Sequence, residues 1–350
     1  MDYFLIIHFY INMISNIELI TLKKNKKEFF WNKFTEISKI CHNYSAIYKK
    51  EFFLYQKEYC LSNKTLIEDK SFIITNGNKA ECAGIFFLTK GIENDDLEIS
   101  FGKNFPGLLL ISNDFNNKSI SLLKEMISSL LANSRKIIFT TPDNCNFNKG
   151  YQNIFNNFRF TQNINWIKSI PTYKNKETLW KDIRKSYKSP INKGLKKQNF
   201  LIIDKFNLDI DKFKLIQKLH FKISGRKTRS DKSWDLQFSS IKNDSGFAFI
   251  SFEEDESNLN SAVYFYKSNL HAYYGTGLFT EHAKRNLYGY CIIWKAIIYC
   301  IERGIKSCEL DDYIKFQWMS NIDKKLMDIS FLKSGFGGEL IPRIIFSING

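Results

Sequence analysis

Apolar positions recur along the chain at two spacings, and the switches between them set the order of elements. From Lys27 to Cys60, in "KEFFWNKFTEISKICHNYSAIYKKEFFLYQKEYC", aromatics return every three or four residues, which predicts one or two amphipathic helices. "KSFIITNGNKAECAGIFFLTKGI" then moves to short apolar runs: "IITNGN" is a hairpin signal and "AGIFFLTK" reads as a buried strand. Helical spacing returns over 118–134 in "KSISLLKEMISSLLANS", and "RKIIFTTPD" is a strand closing at Pro142.

The second half repeats the theme. "TLWKDIRKSYKSPINKGLKKQN" is helical, with Pro190 expected to kink or split it. "FLIIDKF" is a strand, and "DIDKFKLIQKLHFKISGR" a helix ending near Gly225. "GFAFISFEEDE", "LNSAVYFYKSN" and "LHAYYGTG" are three strands joined by short polar turns. "NLYGYCIIWKAIIYCIERG" is a strongly apolar helix with Gly304 at its C-terminal end, and "IKSCELDD" a strand ending in acids. The pattern predicts an α+β chain of two domains, 1–170 and 171–350, the second better defined.

Composition agrees with this. With 350 residues, 44% hydrophobic positions and 32 phenylalanines, the chain can bury two cores of ordinary size. The formal charge of +15 attracts anions such as nucleic acid, phosphorylated cofactors, nucleotide sugars or an acidic membrane face. An AT-rich genome would enrich Lys, Asn, Ile and Phe in the same way. Seven cysteines, at 41, 60, 82, 145, 291, 300 and 308, form no CxxC pair, so neither a disulfide framework nor a zinc site is expected, and reduced thiols place the chain in the cytoplasm. The N-terminal "MDYFLIIHFYINMISN" is too short and too interrupted for an anchor, and "ISNIELITL" leaves Met13 as an alternative start to Met1. No transmembrane segment is expected, and contact with an anionic membrane would be peripheral.

"LWKDIRKSYKSPINKGLKK", "AYYGTG" with the helix from Leu287, "RGIKSCELDD" and "ISFLKSGFGGEL" together resemble the Fem family of peptidoglycan-bridge aminoacyltransferases and their GNAT-like relatives. In the last motif Leu332 is inserted between Phe331 and Lys333 relative to the family pattern. The resemblance covers residues 172–345, and the first half only through "FFWNKFTEIS". It implies tandem GNAT-like domains and an acyl or aminoacyl group passed from acyl-CoA or aminoacyl-tRNA to an amine. The implied acceptor is an amino sugar or a cell-envelope or surface-polysaccharide precursor, soluble or lipid-linked. An activated acyl donor is attacked by the amine directly, so no nucleophilic Ser or Cys and no metal is called for.

Four groups of residues can serve this chemistry. Asp311 and Asp312 end an apolar strand, where alternation sends one acid to the cleft and leaves the other to pair. Tyr274 and Thr276 of "HAYYGTG" would line the acyl cleft, with core packing of Tyr273 or Tyr274 as the alternative. In the polar stretch 224–237, Arg226 and Arg229 suit a carboxylate or phosphate and Trp234 a sugar or base; the alternative is a solvated loop over a buried Trp. A basic helix, 181–197, sets Arg184, Lys188, Lys193 and Lys196 around an apolar stripe, either simply solvated or meeting a polyanion such as tRNA. In "SGFGG" the lysine precedes the glycines, unlike a phosphate loop, so Gly337 and Gly338 are expected to make a positive-φ turn, with Lys333 near the acyl donor.

Two features of the families are missing: the long helical arm of bridge-forming Fem enzymes, and the Q/R-x-x-G-x-G/A phosphate loop of CoA-dependent GNAT enzymes. Donor identity therefore stays open. The competing reading is a non-catalytic RNA- or polyanion-binding protein on a GNAT-like scaffold.

Overall fold

The computed structural model describes residues 17–22, 26–39, 45–90, 96–102, 105–141, 149–313 and 324–350. Met13, Cys41, Pro142 and Cys145 lie outside them. The first half runs β1 (Ile17–Thr21), α1 (Lys27–Ser38), α2 (Lys50–Ser62), β2 (Leu66–Asp69), β3 (Phe72–Asn76), β4 (Lys79–Ile85), β5 (Phe87–Lys90), β6 (Leu97–Ser100), β7 (Gly107–Ile111), α3 (Asn117–Ala132), β8 (Lys136–Thr140) and α4 (Lys149–Asn157). The rest is β9 (Phe160–Ile170), α5 (Lys176–Asp182), α6 (Lys185–Lys197), β10 (Asn199–Ile203), α7 (Ile210–Ser224), α8 (Asp231–Lys242), β11 (Gly246–Phe252), β12 (Ser261–Lys267), β13 (His271–Phe279), α9 (Glu281–Arg285), α10 (Tyr288–Glu302), β14 (Ser307–Tyr313), α11 (Lys324–Ser334) and β15 (Glu339–Asn349).

Contacts divide the chain into two compact units, one within Met1–Tyr44, Tyr59–Ile164 and Ile344–Gly350, the other Ser45–Glu58 and Asn165–Arg343. In the first, β1, β3, β4, β7 and β8 lie side by side, and residues 345–349 of β15 pair antiparallel with β8. Leu123, Ile127 and Leu130 of α3 share a core with Ile74, Leu109, Ile137 and Phe139 of the sheet. "AGIFFLTK" is two strands rather than one: the ladder breaks at Phe86, whose N–H donates to the Ser71 hydroxyl at 3.2 Å.

In the second unit the sheet runs β9, β14, β13, β12, β11, β10, with β13 and β14 parallel and the other pairs in this series antiparallel. Both faces are covered, which is why β11 and β12 are apolar almost throughout instead of alternating. On β12, Val263 and Phe265 join the core with Ile292, Ala296 and Ile297 of α10. Tyr264 points the other way, toward Phe213 of α7 at 6.4 Å and the Ser240 hydroxyl of α8. Each large apolar side chain so enclosed contributes roughly 1.5–3 kcal/mol of transfer free energy.

Two expectations change here. The basic helix breaks at Ile183 and Arg184, between α5 and α6, while Pro190 stays inside α6. Tertiary packing decides this: Ile183 is in extended geometry with its side chain in the core, and Tyr187, Ile191 and Gly194 form the buried face of α6. Gly194 permits the approach, because a Cβ there would lie 2.4 Å from Cys291 Sγ of α10. The stretch 224–237 is a loop only as far as Ser230, whose hydroxyl accepts from Ser233 N–H and caps α8. Its polar residues include helix-capping chemistry.

Candidate active site

The parallel strands β13 and β14 pair only at their beginnings, His271–Tyr273 with Ser307–Glu309, among the described residues. Past that point β14 is displaced by a bulge, with Glu309 opposite Ser169 of β9 but Asp312 opposite Ile167. The extra residue includes Asp311, which adopts φ +73°, a left-handed backbone that side-chain-bearing residues seldom hold. Simple alternation along β14 therefore fails, and the bulge re-aims both acids.

Asp311 accepts hydrogen bonds from the Tyr273 hydroxyl at 3.1 Å and from Lys333 Nζ at 3.1 Å. Lys333 is only 5% exposed, on the last turn of α11, so its ammonium is held against the carboxylate with little water around it. Asp312 accepts from Asn165 Nδ2 at 3.3 Å. Burial, and then the neighbouring Asp311 charge, push its carboxyl up to about 6. Tyr274 packs its ring on Phe265 at 5.3 Å, and burial with the Asp311 charge raises its hydroxyl, so it stays protonated at neutral pH. The structure thus brings Asp311, Asp312 and Lys333 together near the end of β14 and adds Tyr273 and Asn165, while Tyr274 packs on the core at Phe265 within reach of the Asp311 charge.

Below them lies a buried ion cluster that sequence reasoning did not find. Glu309 accepts from the Arg343 guanidinium at 3.0 and 3.1 Å and lies 3.1 Å from His271 Nε2. His271 Nδ1 accepts from Ala46 N–H at 3.2 Å, which leaves the ring proton on Nε2, toward Glu309. Burial alone would raise the Glu309 carboxyl, but Arg343 and His271 outweigh it and hold it at about 2. These partners are 34 and 38 residues from Glu309, and no local motif links them.

The second group converges on Arg229. Its guanidinium donates to Thr276 Oγ1 at 3.3 Å and to Gln237 at 3.4 Å, and lies over Trp234 and Tyr55 at 5.1 and 5.8 Å. No carboxylate among the described residues pairs with it. Trp234 is 5% exposed and packs against Phe213 and His220, so its ring is largely enclosed by protein. Arg226 is exposed and, with Arg229 and Trp234, lines an open pocket of about 420 Å³ between α7 and α8.

The basic helix does not present its four cations together. Arg184, at the first position before α6, donates to Ser334 Oγ at 2.8 Å and stacks on Phe331 and Tyr187, which removes it from a surface set. Lys188 turns back to the Lys181 carbonyl at 3.3 Å and over Trp180, whereas Lys193 and Lys196 stand in solvent. Gly337 and Gly338 hold φ of +74° and +73° and turn α11 into β15. Among the described residues no group of three His, Cys, Asp or Glu is placed to hold a metal, and no helix is long and apolar enough to cross a membrane.

Solved structures share this fold. FemX aligns over 95% of this chain and 97% of its own, at 11% identity and a TM-score of 0.63. The C-terminal domain of a putative lysylphosphatidylglycerol synthetase from Agrobacterium fabrum aligns over 92% and 93%, at 11% identity and 0.55. A conserved protein of unknown function from Bacteroides thetaiotaomicron aligns over 96% and 100%, at 8% identity and 0.53. No protein-family model and no curated protein matches the sequence. At such identities the likeness is one of fold: the chain is α+β, with the tandem GNAT-like fold seen in FemX.

Proposed function

We propose that the protein is an N-acyltransferase, passing an acyl or aminoacyl group from a CoA ester or an aminoacyl-tRNA to an amine. The observation that carries this reading is the meeting of Asp312, the Asp311–Lys333 pair and Tyr274 where β13 and β14 part. Beyond Tyr273 the edge that β13 turns toward β14 has no ladder partner among the described residues, so its peptide groups can bind an extended donor.

The residues divide the work as follows. Asp312, with a carboxyl raised to about 6, accepts a proton from the acceptor's ammonium more readily than an ordinary aspartate would, and frees the amine to attack the acyl carbon. Lys333, fixed by Asp311, faces the oxyanion of the tetrahedral intermediate. As the amide C–N bond forms, the donor's C–S or C–O bond breaks, and Tyr274 relays the nitrogen's second proton, giving its hydroxyl proton to the leaving sulfur or oxygen and recovering one from the amide nitrogen. Arg229, Thr276 and Arg226 bind a carboxylate or phosphate of the acceptor, for which an amino sugar or cell-envelope precursor is the favoured class. One fold neighbour is named as a lysylphosphatidylglycerol synthetase domain, which refers to a membrane lipid and agrees with an acceptor from the cell envelope. If the donor is tRNA, exposed Lys193 and Lys196 meet its phosphates.

The test is transfer of labelled acyl groups from acetyl-CoA, longer acyl-CoAs and charged tRNA to a panel of amino-sugar nucleotides. Amide formation that Asp312→Asn abolishes supports the reading. Inertness with every donor, together with salt-sensitive RNA binding, favours a polyanion-binding protein instead.

A further inference from the structure

Residues 205–227 combine two features that a water-facing surface has no use for together. Phe206, Leu208, Ile210 and Phe221 are 67%, 44%, 39% and 57% exposed, large apolar groups close together in sequence. The same stretch carries Lys205, Lys212, Lys214, Lys218, Lys222, Arg226 and Lys227 against only Asp209 and Asp211. Lys218, Lys222 and Arg226 have no carboxylate partner among the described residues.

The exposure of Phe206 is built in. Asp204, 1% exposed, accepts from the backbone N–H groups of Phe206 and Asn207, both at 2.9 Å, and from Tyr299 and Arg303, both at 3.0 Å. Arg303 also lies under the Phe206 ring at 4.6 Å. The turn is anchored to α10 with its apolar tip left outside. Along α7, Ile210, Lys214, Lys218 and Phe221 follow at i, i+4, i+8 and i+11, one stripe of the helix, with apolar ends and cationic middle. Three of these residues, Lys214, Lys218 and Phe221, also line the pocket that Arg226 and Lys227 complete.

We infer that this face docks on an anionic lipid bilayer. Apolar side chains enter the acyl boundary while Lys218 on the same stripe and the neighbouring Lys222 meet lipid phosphates. A lipid surface fits better than single-stranded nucleic acid because Leu208 and Ile210 offer no planar face for a base to stack on. The inference does not depend on the transferase reading.

The test is co-sedimentation of the full chain with vesicles of phosphatidylglycerol mixed into phosphatidylcholine and with phosphatidylcholine alone, at low and high salt. Binding is expected only to the anionic vesicles. Lys218→Glu with Lys222→Glu should weaken it at least tenfold. Phe206→Ser with Phe221→Ser should remove the part of binding that persists at high salt. All four sites are exposed, so unchanged thermal melts will confirm that the variants fold. Absent binding, equal binding to neutral vesicles, or loss of binding in Lys193→Glu with Lys196→Glu on α6 but not in the α7 variants would overturn the inference.

Discussion

Lys333 Nζ and Asp311 Oδ2 lie 3.1 Å apart, the lysine buried and the aspartate in a left-handed backbone conformation on a bulge. A β-bulge that strains a carboxylate toward an enclosed ammonium is the kind of arrangement that active sites retain. Removing the ammonium leaves Asp311 still partly hydrated, with 39% of its side chain exposed. Lys333→Ala should therefore lower transfer by about 10²–10³ while the melt changes little. Steady-state kinetics beside a thermal melt would check both.

Asp312 makes an opposite trade. Its carboxyl is raised to about 6, above its ordinary value of 3.8, so the native fold favours the protonated form. The contribution to stability is fully present below the ordinary value and is lost as pH rises through the raised one. Asp312→Asn should thus stabilise the protein above pH 6 or so, by on the order of 1–3 kcal/mol, with no gain in acid. The parent's own activity profile should carry a limb that rises as pH passes about 6. A variant destabilised at pH 8 would refute this assignment.

The positive φ at Asp311 separates backbone from charge. Asn tolerates the left-handed region and can still accept from Tyr273 but offers Lys333 no carboxylate, so Asp311→Asn should melt below the parent and above Asp311→Ala. Asp311→Ala keeps the strain and strands the buried Lys333, at a cost of about 1–3 kcal/mol. Denaturant titration of the two variants checks the order.

The Glu309 cluster should behave as a structural pair. Burial opposes the charge on Glu309, but Arg343 and His271 hold its carboxyl at about 2, below its ordinary 4.5. That contribution is present above the ordinary value and lost as pH falls toward the depressed one. Arg343→Met leaves a carboxylate that is 3% exposed without its main cation, and should cost about 3–5 kcal/mol at neutral pH. Adding Glu309→Gln should recover part of the loss, which a double-mutant cycle would measure.

Gly338→Ala tests the turn after α11. A Cβ there would lie 2.3 Å from the Ser169 carbonyl oxygen, in a backbone at φ +73°. With strain and clash combined, destabilisation of about 1–3 kcal/mol is expected in chemical denaturation.

The sequence by itself determined the order of elements in the second unit, because apolar spacing is a local signal. The stripe of α10, the three near-continuous strands before it and the capping glycines at 225 and 304 are all legible in consecutive residues. It also made legible the side chains proposed for the chemistry, Tyr274 in "HAYYGTG", Asp311 and Asp312 at the end of "IKSCELDD" and Lys333 in "ISFLKSGFGGEL". Tertiary structure decided how those residues act. The bulge that re-aims Asp311 depends on register against β9, and the partners of Glu309 come from β13 and β15. The helix break moved from Pro190 to Ile183 because Ile183 gains more by entering the core than the helix loses in propensity, and Arg184 left the basic face to stack on Phe331. Local propensity is worth tenths of a kcal/mol per residue, roughly, while burial of one large side chain is worth several times that. Register and burial depend on residues far apart in the chain, and no window of neighbouring positions contains them.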